Sequence, residues 1–382
     1  MKCRYYLHKH CSSCDLLSYD YLSSIKNKEQ KLSHYFREHI ANIKPSVICK
    51  NGTEGTRNKA KLAVALIHNT INFGFYNKAM QFTELEKCPL HAPAINNLLP
   101  TLKQLLSTHR VIPYDVFSKK GELKYVILTY SDSTNELLLR FIVKSTESLA
   151  RLKALTQTLI SLNPVVKVVT ANIQPIHQAV LEGDDEIVLT EIDYITHHVD
   201  GYSLFQGPRS FFQTHSKMAL QLYKQFQSEL STLNIHSLLD LYCGVGAFSF
   251  FASNNCTSVT GVEISDAAIF YANKAREINN SNNIHFLAMD AAAYLQNQAS
   301  HSFDAILVNP PRRGLNHAII TDLMRLSPTY LFYSSCNVET LQKDLLQLET
   351  QYQIKSLQMF DMFPFTSHFE TLAVLVKTIV ET

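Results

Sequence analysis

The stretch YLFYSSCNVETLQKD, residues 330–344, carries a run of strand-forming residues into two serines and then a cysteine, Cys336. Asn337 and the pattern of a helix start follow it. Open α/β sheets hold their ligands at the carboxyl ends of their strands, and a thiolate placed there can add to an electrophilic carbon. The plainer reading is a core residue, because a free cysteine behaves as a small hydrophobe. A thiol of ordinary pKa, about 8.5, is only a few per cent ionised at neutral pH, so a nucleophilic Cys336 needs a cation or a helix N-terminus beside it. The helix beginning after Asn337 offers the second of these. Glu370, in DMFPFTSHFETLAVLVK, directly precedes an apolar strand and follows His368. At the same edge of a sheet it can act as a proton acceptor; taken alone, it reads as surface charge.

A further group of residues surrounds a tight turn. LLDLYCGVGAFSFFAS runs a buried strand to Asp240, turns at Gly244-Val245-Gly246 and enters a helix, and the two glycines let the backbone pass close to a ligand. Glu263, in GVEIS, ends the next strand, where a carboxylate can accept both hydroxyls of a ribose. Asp290, in AMDAAAYL, ends a third; it can meet an adenine amino group or cap the helix behind it. A full G-x-G-x-x-G is absent, and D-L-x-C-G-x-G with a strand-end Glu resembles the S-adenosylmethionine site of class I methyltransferases.

The fourth strand ends in LVNPPRRG, which puts Asn309 beside the methyl donor. In methyltransferases that act on base amino groups, a similar Asn-Pro-Pro precedes an aromatic residue that stacks on the base. Here Arg312 follows, which argues for a different acceptor atom. Carbon 5 of uracil is such an acceptor, and it is a poor nucleophile until a thiolate adds to carbon 6 and turns the ring into an enolate. That chemistry calls for a cysteine beside the donor and a base for the carbon 5 proton.

These residues need a sheet to hold them. From about residue 206, apolar strands alternate with helical stretches, the rhythm of a parallel sheet: SLLDLY, SVTGVEI, IHFLAM, FDAILVN, YLFYSS and TLAVLVKTIV. Residues 56–205 read as a central α+β domain, with KLAVALIH, LKYVILTYS, LLLRFIVKS, VKVVTANIQP and EIVLTEIDYI as strands and one helix around ESLARLKALTQTLISL. Leu22, Ile25, Leu32, Phe36 and Ile40 recur at helical spacing, predicting one amphipathic helix over about 16–40 that ends before Pro45. Residues 1–90 read as a cysteine-bearing segment with its leading helix, expected to pack partly on the 206–382 domain.

Composition bounds the function. The 382 residues suffice for two or three domains, and 46% hydrophobic with 18% charged residues describe a globular protein. No apolar run reaches the length of a membrane span, and MKCRYYLHKHCSSC lacks a signal-peptide core, so a cytosolic protein without a membrane partner is expected. A net charge of +2 means that a nucleic acid would be held by local patches. Arg57, Lys59, Lys61, Lys119, Lys120 and Lys124 are candidates for phosphates, with Phe211 or Phe212 for stacking on bases. Each patch alone is more often a solvated face, and the phenylalanines are more often core.

Of eight cysteines, Cys3, Cys11 and Cys14 lie in the first fourteen residues, and Cys88 follows in EKCPL. Four thiolates are enough for zinc or an iron–sulfur cluster, and spacing does not choose between them. The remaining cysteines, apart from Cys336, read as structural.

SFFQTH (210–215), DLYCGVGAFS (240–249), VNPPRRG (308–314), YSSCNVETLQKDL (333–345) and DMFPFTSHFETLAVL (361–375) together resemble the uracil-C5 RNA methyltransferases. The resemblance runs over nearly the whole chain. It implies a class I, Rossmann-like methyltransferase domain over 206–382, Cys336 as nucleophile and Glu370 as proton acceptor. It also implies that Gln213, Tyr242, Glu263 and Asn309 contact S-adenosylmethionine or the base. Much of the family has Asp where this chain has Asn309, and His215 stands where Asn is expected.

Within the family, similar cysteine spacing in the ribosomal-RNA branch holds a 4Fe-4S cluster, here on Cys3, Cys11, Cys14 and Cys88, while the tRNA branch lacks these cysteines. With a first ligand at residue 3, no leading β-barrel is expected. The match is to the short branch that modifies uracil-747 of 23S ribosomal RNA, and a monomer is expected. Uracil methylation in tRNA and an inactive, cluster-bearing RNA-binding protein are the alternatives.

Overall fold

The structure, a computed structural model, describes residues 1–50, 52–77, 79–176 and 181–378. Its contacts divide the chain into one unit of residues 1–12, 53–198 and 206–208, and a second of 13–52, 199–205 and 209–382. Among the described residues no helix is long and apolar enough to cross a membrane.

The first unit is built on a seven-stranded sheet in the order Phe82–Glu84, Thr70–Tyr76, Lys59–Ile67, Leu123–Ser131, Glu136–Val143, Val166–Ile173, Asp185–Val188. Neighbours are antiparallel except Glu136–Val143 and Val166–Ile173, which run parallel. Parallel neighbours need a crossover, and the helix Leu149–Leu162 provides it. Val126, Leu128, Leu139 and Phe141 alternate along their strands and pack with Leu152, Leu155 and Leu159 in one core.

That core also contains a second helix, Pro93–Thr108, where the sequence reading expects only one. Pro93 and Pro100 hide it. Pro93 sits at the helix start, where its missing N–H costs nothing, and the internal Pro100 is exposed, while Ile95, Leu98, Leu99, Leu102, Leu105 and Leu106 form the buried stripe. The expected strand EIVLTEIDYI is likewise interrupted, with Asp185–Val188 and Ile195–Val199 as separate strands.

The second unit holds an eight-stranded sheet in the order Ile43–Val47, Tyr352–Phe360, Glu370–Lys377, Tyr330–Ser335, Ala305–Val308, Ser237–Leu241, Ser258–Glu263, Ile284–Ala288. The strand Glu370–Lys377 runs antiparallel to both of its neighbours, and the remaining pairs are parallel. From Ser237–Leu241 the chain winds outward to Ile284–Ala288, then returns to Ala305–Val308 on the other side. This reversal leaves a crevice at the carboxyl ends of the two central strands, where such sheets bind ligands.

Two of these strands escape the sequence reading. In Tyr352–Phe360 the pairing register shifts between Ile354 and Ser356, which breaks the period-two alternation that would announce a strand. Ile43–Val47 is an edge strand containing Pro45, a place where a missing N–H is tolerated. The C-terminal strand ends at Lys377, and residues 379 and 380 of the expected TLAVLVKTIV lie outside the described residues.

The leading helix is shorter than expected. It runs Tyr21–Tyr35 from an Asp20 cap that accepts from the Ser23 N–H, and a 3-10 turn, Arg37–Asn42, follows. Ile25, Leu32 and Phe36 are buried in the core of the second unit, but Leu22 is 62% and Ile40 58% exposed. The buried stripe passes through Lys28 instead, whose ammonium forms a fully buried ion pair with Asp361 at 2.5 Å. A lysine at a core position is invisible to an apolar period.

Candidate active site

At the carboxyl ends of the central strands of the second unit lies a cavity of about 590 Å³. Gln213, Tyr242, Gly244, Glu263, Asp290, Asn309, Cys336 and Glu370 all line it, so residues far apart in the sequence converge on one space. Tyr242 and Gly244 follow the first strand with φ of 62° and 57°. For a bulky residue such as Tyr242 that conformation is strained, and strain of this kind collects at functional sites.

The Gly244 N–H donates to Glu263 Oε2 at 3.3 Å, and the Ser265 N–H donates to Oε1 at 3.1 Å. The carboxylate is thereby held at its strand end, facing the cavity. Asp290 Oδ1 caps the helix Ala291–Gln296 through the Ala292 and Ala293 N–H groups, and the residue also lines the cavity. Asn309 is placed by its own N–H, which donates to the Leu241 carbonyl at 3.3 Å.

Gly246 is the exception among the turn residues, since it does not line the cavity. Its φ is +85°, and a Cβ there would come within 2.4 Å of the Phe286 ring. The second glycine therefore serves close packing of the helix Ala247–Ser253 on the sheet. Beneath the turn, Asp240 is fully buried, with Oδ2 accepting from the Ser249 hydroxyl at 2.6 Å and Oδ1 without a partner. Burial pushes its pKa up to about 7.

Glu370 reaches the cavity because its strand runs antiparallel to Tyr330–Ser335. The first residue of one strand then stands beside the last residues of the other. Its carboxylate is buried and accepts from the Ser334 hydroxyl at 2.7 Å. Burial raises its pKa to about 7, against the lowering effects of Ser334 and of the Arg312 charge. A carboxyl group poised there can both take up and release a proton near neutrality.

Burial likewise raises the pKa of Cys336, and the Glu370 charge adds to the rise. Arg312 opposes both, by its charge and by a hydrogen bond. The sequence reading looks to the helix Val338–Leu348 for the thiolate's partner, yet the structure supplies a guanidinium as the main counterweight. Arg312 thus has a physical task in the place where an amino-methylating site carries an aromatic ring.

Residues missed in the sequence hold this loop. The Asn337 amide donates to the Arg312 carbonyl at 3.1 Å while its Oδ1 caps the following helix. Asp344, buried, accepts from the Tyr333 hydroxyl at 2.7 Å and the Leu315 N–H at 2.8 Å. Gly314 has φ +77°, and a Cβ there would meet Asp344 Oδ2 at 2.6 Å, so the loop closes on the carboxylate only with glycine. On the other side, Lys28 Nζ donates to the Phe363 carbonyl at 2.9 Å, and Phe363 lines the cavity. Lys28 lies outside the motif stretches, and Asp344 and Asp361, though inside them, give no sign there of these roles, because each works through a partner elsewhere in the sequence.

The remaining candidates divide. Phe211 is 62% exposed and lines the cavity, whereas Phe212 is buried. Lys119 and Lys120 are exposed. Lys124 is buried and donates to Gln174 and to the Ile176 carbonyl, so it is removed from the list of phosphate contacts. Lys61 lies 3.6 Å from Glu182, and burial lowers the Lys59 pKa to about 8. Cys3, Cys11, Cys14 and Cys88 are each half-buried. Among the described residues no group of three or more His, Cys, Asp or Glu side chains is found that could hold a metal ion.

Comparison with known proteins agrees with this geometry. Residues 20–378 match the family model described as tRNA (Uracil-5-)-methyltransferase. The 23S rRNA (uracil(747)-C(5))-methyltransferase RlmC of Xenorhabdus bovienii (strain SS-2004) is 37% identical, over 98% of this chain and 99% of the relative. RlmC of Vibrio vulnificus (strain YJ016) is 38% identical, over 99% of this chain and all of the relative, 100%. The crystal structure of Pyrococcus abyssi tRNA (uracil-54, C5)-methyltransferase in complex with S-adenosyl-L-homocysteine is similar with a TM-score of 0.79 at 26% identity, covering 95% of this chain and 86% of that one. With a strand-end cysteine, a buried carboxylate and a glycine turn around one cavity, and a family match over almost its whole length, the chain belongs to the tRNA (Uracil-5-)-methyltransferase family.

Proposed function

We propose that the protein methylates carbon 5 of one uridine in 23S ribosomal RNA, uracil-747 being the position in its relatives' names. The observation that carries this reading is the meeting of Cys336 and Glu370 in the cavity lined by Gly244, Glu263, Asp290 and Asn309. Bound S-adenosylmethionine supplies an electrophilic methyl group. The Cys336 thiolate adds to carbon 6 of the uracil, and the electron pair moves through carbon 5 to the carbonyl oxygen. Carbon 5 then attacks the methyl group, and S-adenosylhomocysteine departs. Glu370 takes the carbon 5 proton, the double bond re-forms, and the Cys336 sulfur leaves carbon 6.

Each remaining residue has a part in this reading. Gly244 and Glu263 bind the donor's ribose end, Asp290 its adenine, and Gln213 and Tyr242 its reacting end or the base. Asn309, with both a donor and an acceptor, matches the N3–H and a carbonyl of uracil. The base must leave its stack to reach this depth, and the exposed Phe211 ring is placed to stack on it. Lys119 and Lys120 serve RNA phosphates. The enzyme acts in the cytoplasm as a monomer.

A 4Fe-4S cluster on Cys3, Cys11, Cys14 and Cys88 is supported by their spacing and by the family resemblance. Iron and sulfide analysis of anaerobically purified protein tests it: about four of each per chain supports the cluster, and none removes it.

The function itself is tested by mass spectrometry of a 23S ribosomal RNA fragment incubated with the anaerobic protein and S-adenosylmethionine. One added methyl on a single uridine, absent with Cys336→Ala, is the expected result. Methylation of tRNA alone would replace the substrate, and no methylation of either would overturn the reading.

A further inference from the structure

A second, smaller cavity of about 190 Å³ shares Cys336 and Arg312 with the first. Lys31, His368 and Glu339 also line it. Its basic groups come from three distant segments: Lys31 from the leading helix, Arg312 from the Pro-Pro loop, His368 from the loop before Glu370. Burial lowers the His368 pKa, and the positive charges of Arg312, Lys31 and Lys28 act in the same direction, with Asp15 opposing. The potential at the imidazole is thus positive. The Glu339 carboxylate is 3.6 Å from Lys31, and its side chain is 59% exposed, a pairing worth little in water.

The chemistry at Cys336 says what lies beside it. Carbon 6 of a pyrimidine is bonded to N1, the atom that carries the ribose. In the anti conformer, carbon 6 lies under the 5′ carbon of the sugar. A uridine that offers carbon 6 to the sulfur therefore brings its 5′-phosphodiester to the surroundings of Cys336 rather than to the donor end of the large cavity.

We propose that the Lys31–Arg312–His368 cavity seats the phosphodiester on the 5′ side of the target uridine. Arg312 offers a planar fork to the phosphate oxygens and Lys31 a point charge, which exchanges Glu339 for the phosphate when RNA binds. Arg312 then faces the thiol and the backbone of the same nucleotide, coupling its entry to the state of the nucleophile. This proposal rests on the uracil-methylation reading above.

The test is a double-change cycle on binding, read by fluorescence anisotropy of the RNA fragment in the presence of S-adenosylhomocysteine. One change is a neutral methylphosphonate at the 5′ linkage of the target uridine, and the other is Lys31→Ala. Each should weaken binding about fivefold, and both together no more than either alone. Lys31→Ala should also lower the slope of log affinity against log salt by about 0.7, and Lys31→Arg should restore it. Unchanged S-adenosylhomocysteine affinity in Lys31→Ala shows that the fold is intact, and a methylphosphonate on the 3′ side is the control whose penalty multiplies with Lys31→Ala. A 5′ methylphosphonate without penalty, or a 5′ penalty that multiplies with Lys31→Ala, overturns the seat. Methyl transfer by the parent protein is measured on the same RNA in parallel samples that hold S-adenosylmethionine instead. Transfer without coupling sinks the seat and leaves the chemistry, and coupling without transfer does the reverse.

Discussion

The Ser334 hydroxyl donates a 2.7 Å hydrogen bond to the Glu370 carboxylate across two antiparallel strands, with both side chains buried. The bond favours the ionised carboxylate, while burial favours the neutral acid, and the balance lies at about 7. Since Glu370 must be ionised to take the carbon 5 proton, release of methylated RNA from the Cys336 adduct, followed in a single turnover, should speed up with pH through about 7. Ser334→Ala removes the stabilising donor, and the rising limb should move up by about one pH unit. A pH profile superimposable on that of the parent would show that Glu370 does not carry the limb.

Glu370→Gln separates methyl transfer from release. The amide cannot take the carbon 5 proton, so the Cys336 sulfur has no route off carbon 6. A band of protein covalently joined to methylated RNA should persist on a denaturing gel. Cys336→Ala should form no such band and should lower transfer at least about a thousandfold. A Glu370→Gln protein with parental turnover would assign the proton to another group.

Asp240 makes stability depend on pH. Its folded pKa is raised from 3.8 to about 7, so between those values the unfolded chain releases a proton that the folded chain retains. Stability therefore falls as pH rises through that window and levels off above it. Glu370, raised from 4.5 to about 7, adds a slope of the same sign. Asp240→Asn is neutral throughout, and its melts between pH 4 and 8 should lose less stability than the parent by an amount on the order of 2–4 kcal/mol. Parallel stability curves for the two proteins would mean that Asp240 titrates normally.

Lys28→Met leaves Asp361 buried without its cation, although the Tyr21 hydroxyl still donates to it at 2.7 Å. Removal of one member of a buried pair costs roughly 3–5 kcal/mol. Urea melts should show that loss, and replacing Asp361 with Asn in the same chain should recover part of it. A loss below about 1 kcal/mol would show that water replaces the lysine at this site.

Strand ends and motif order were legible in the sequence because they depend on neighbours. Apolar runs closed by Tyr242, Glu263, Asp290, Asn309 and Cys336 identify five strands and what stands at their tips, and the strand that Glu370 opens was readable as well. Local spacing also showed the tight turn at Gly244, though it could not tell that Gly246 is needed for Phe286 rather than for a ligand.

Pairing at a distance belongs to the tertiary structure. Lys28 and Asp361 lie 333 residues apart and enter a core together only because each neutralises the other. Glu370 joins Cys336 through the antiparallel setting of one strand, a property of pairing that no residue of that strand encodes by itself. The same holds for Arg312, whose task at the thiol follows from how Asn337, Asp344 and Gly314 close a loop. Residue type determined which chemistry was available to this chain, and burial and charge neighbours, which exist only after folding, decided the protonation states in which that chemistry is held.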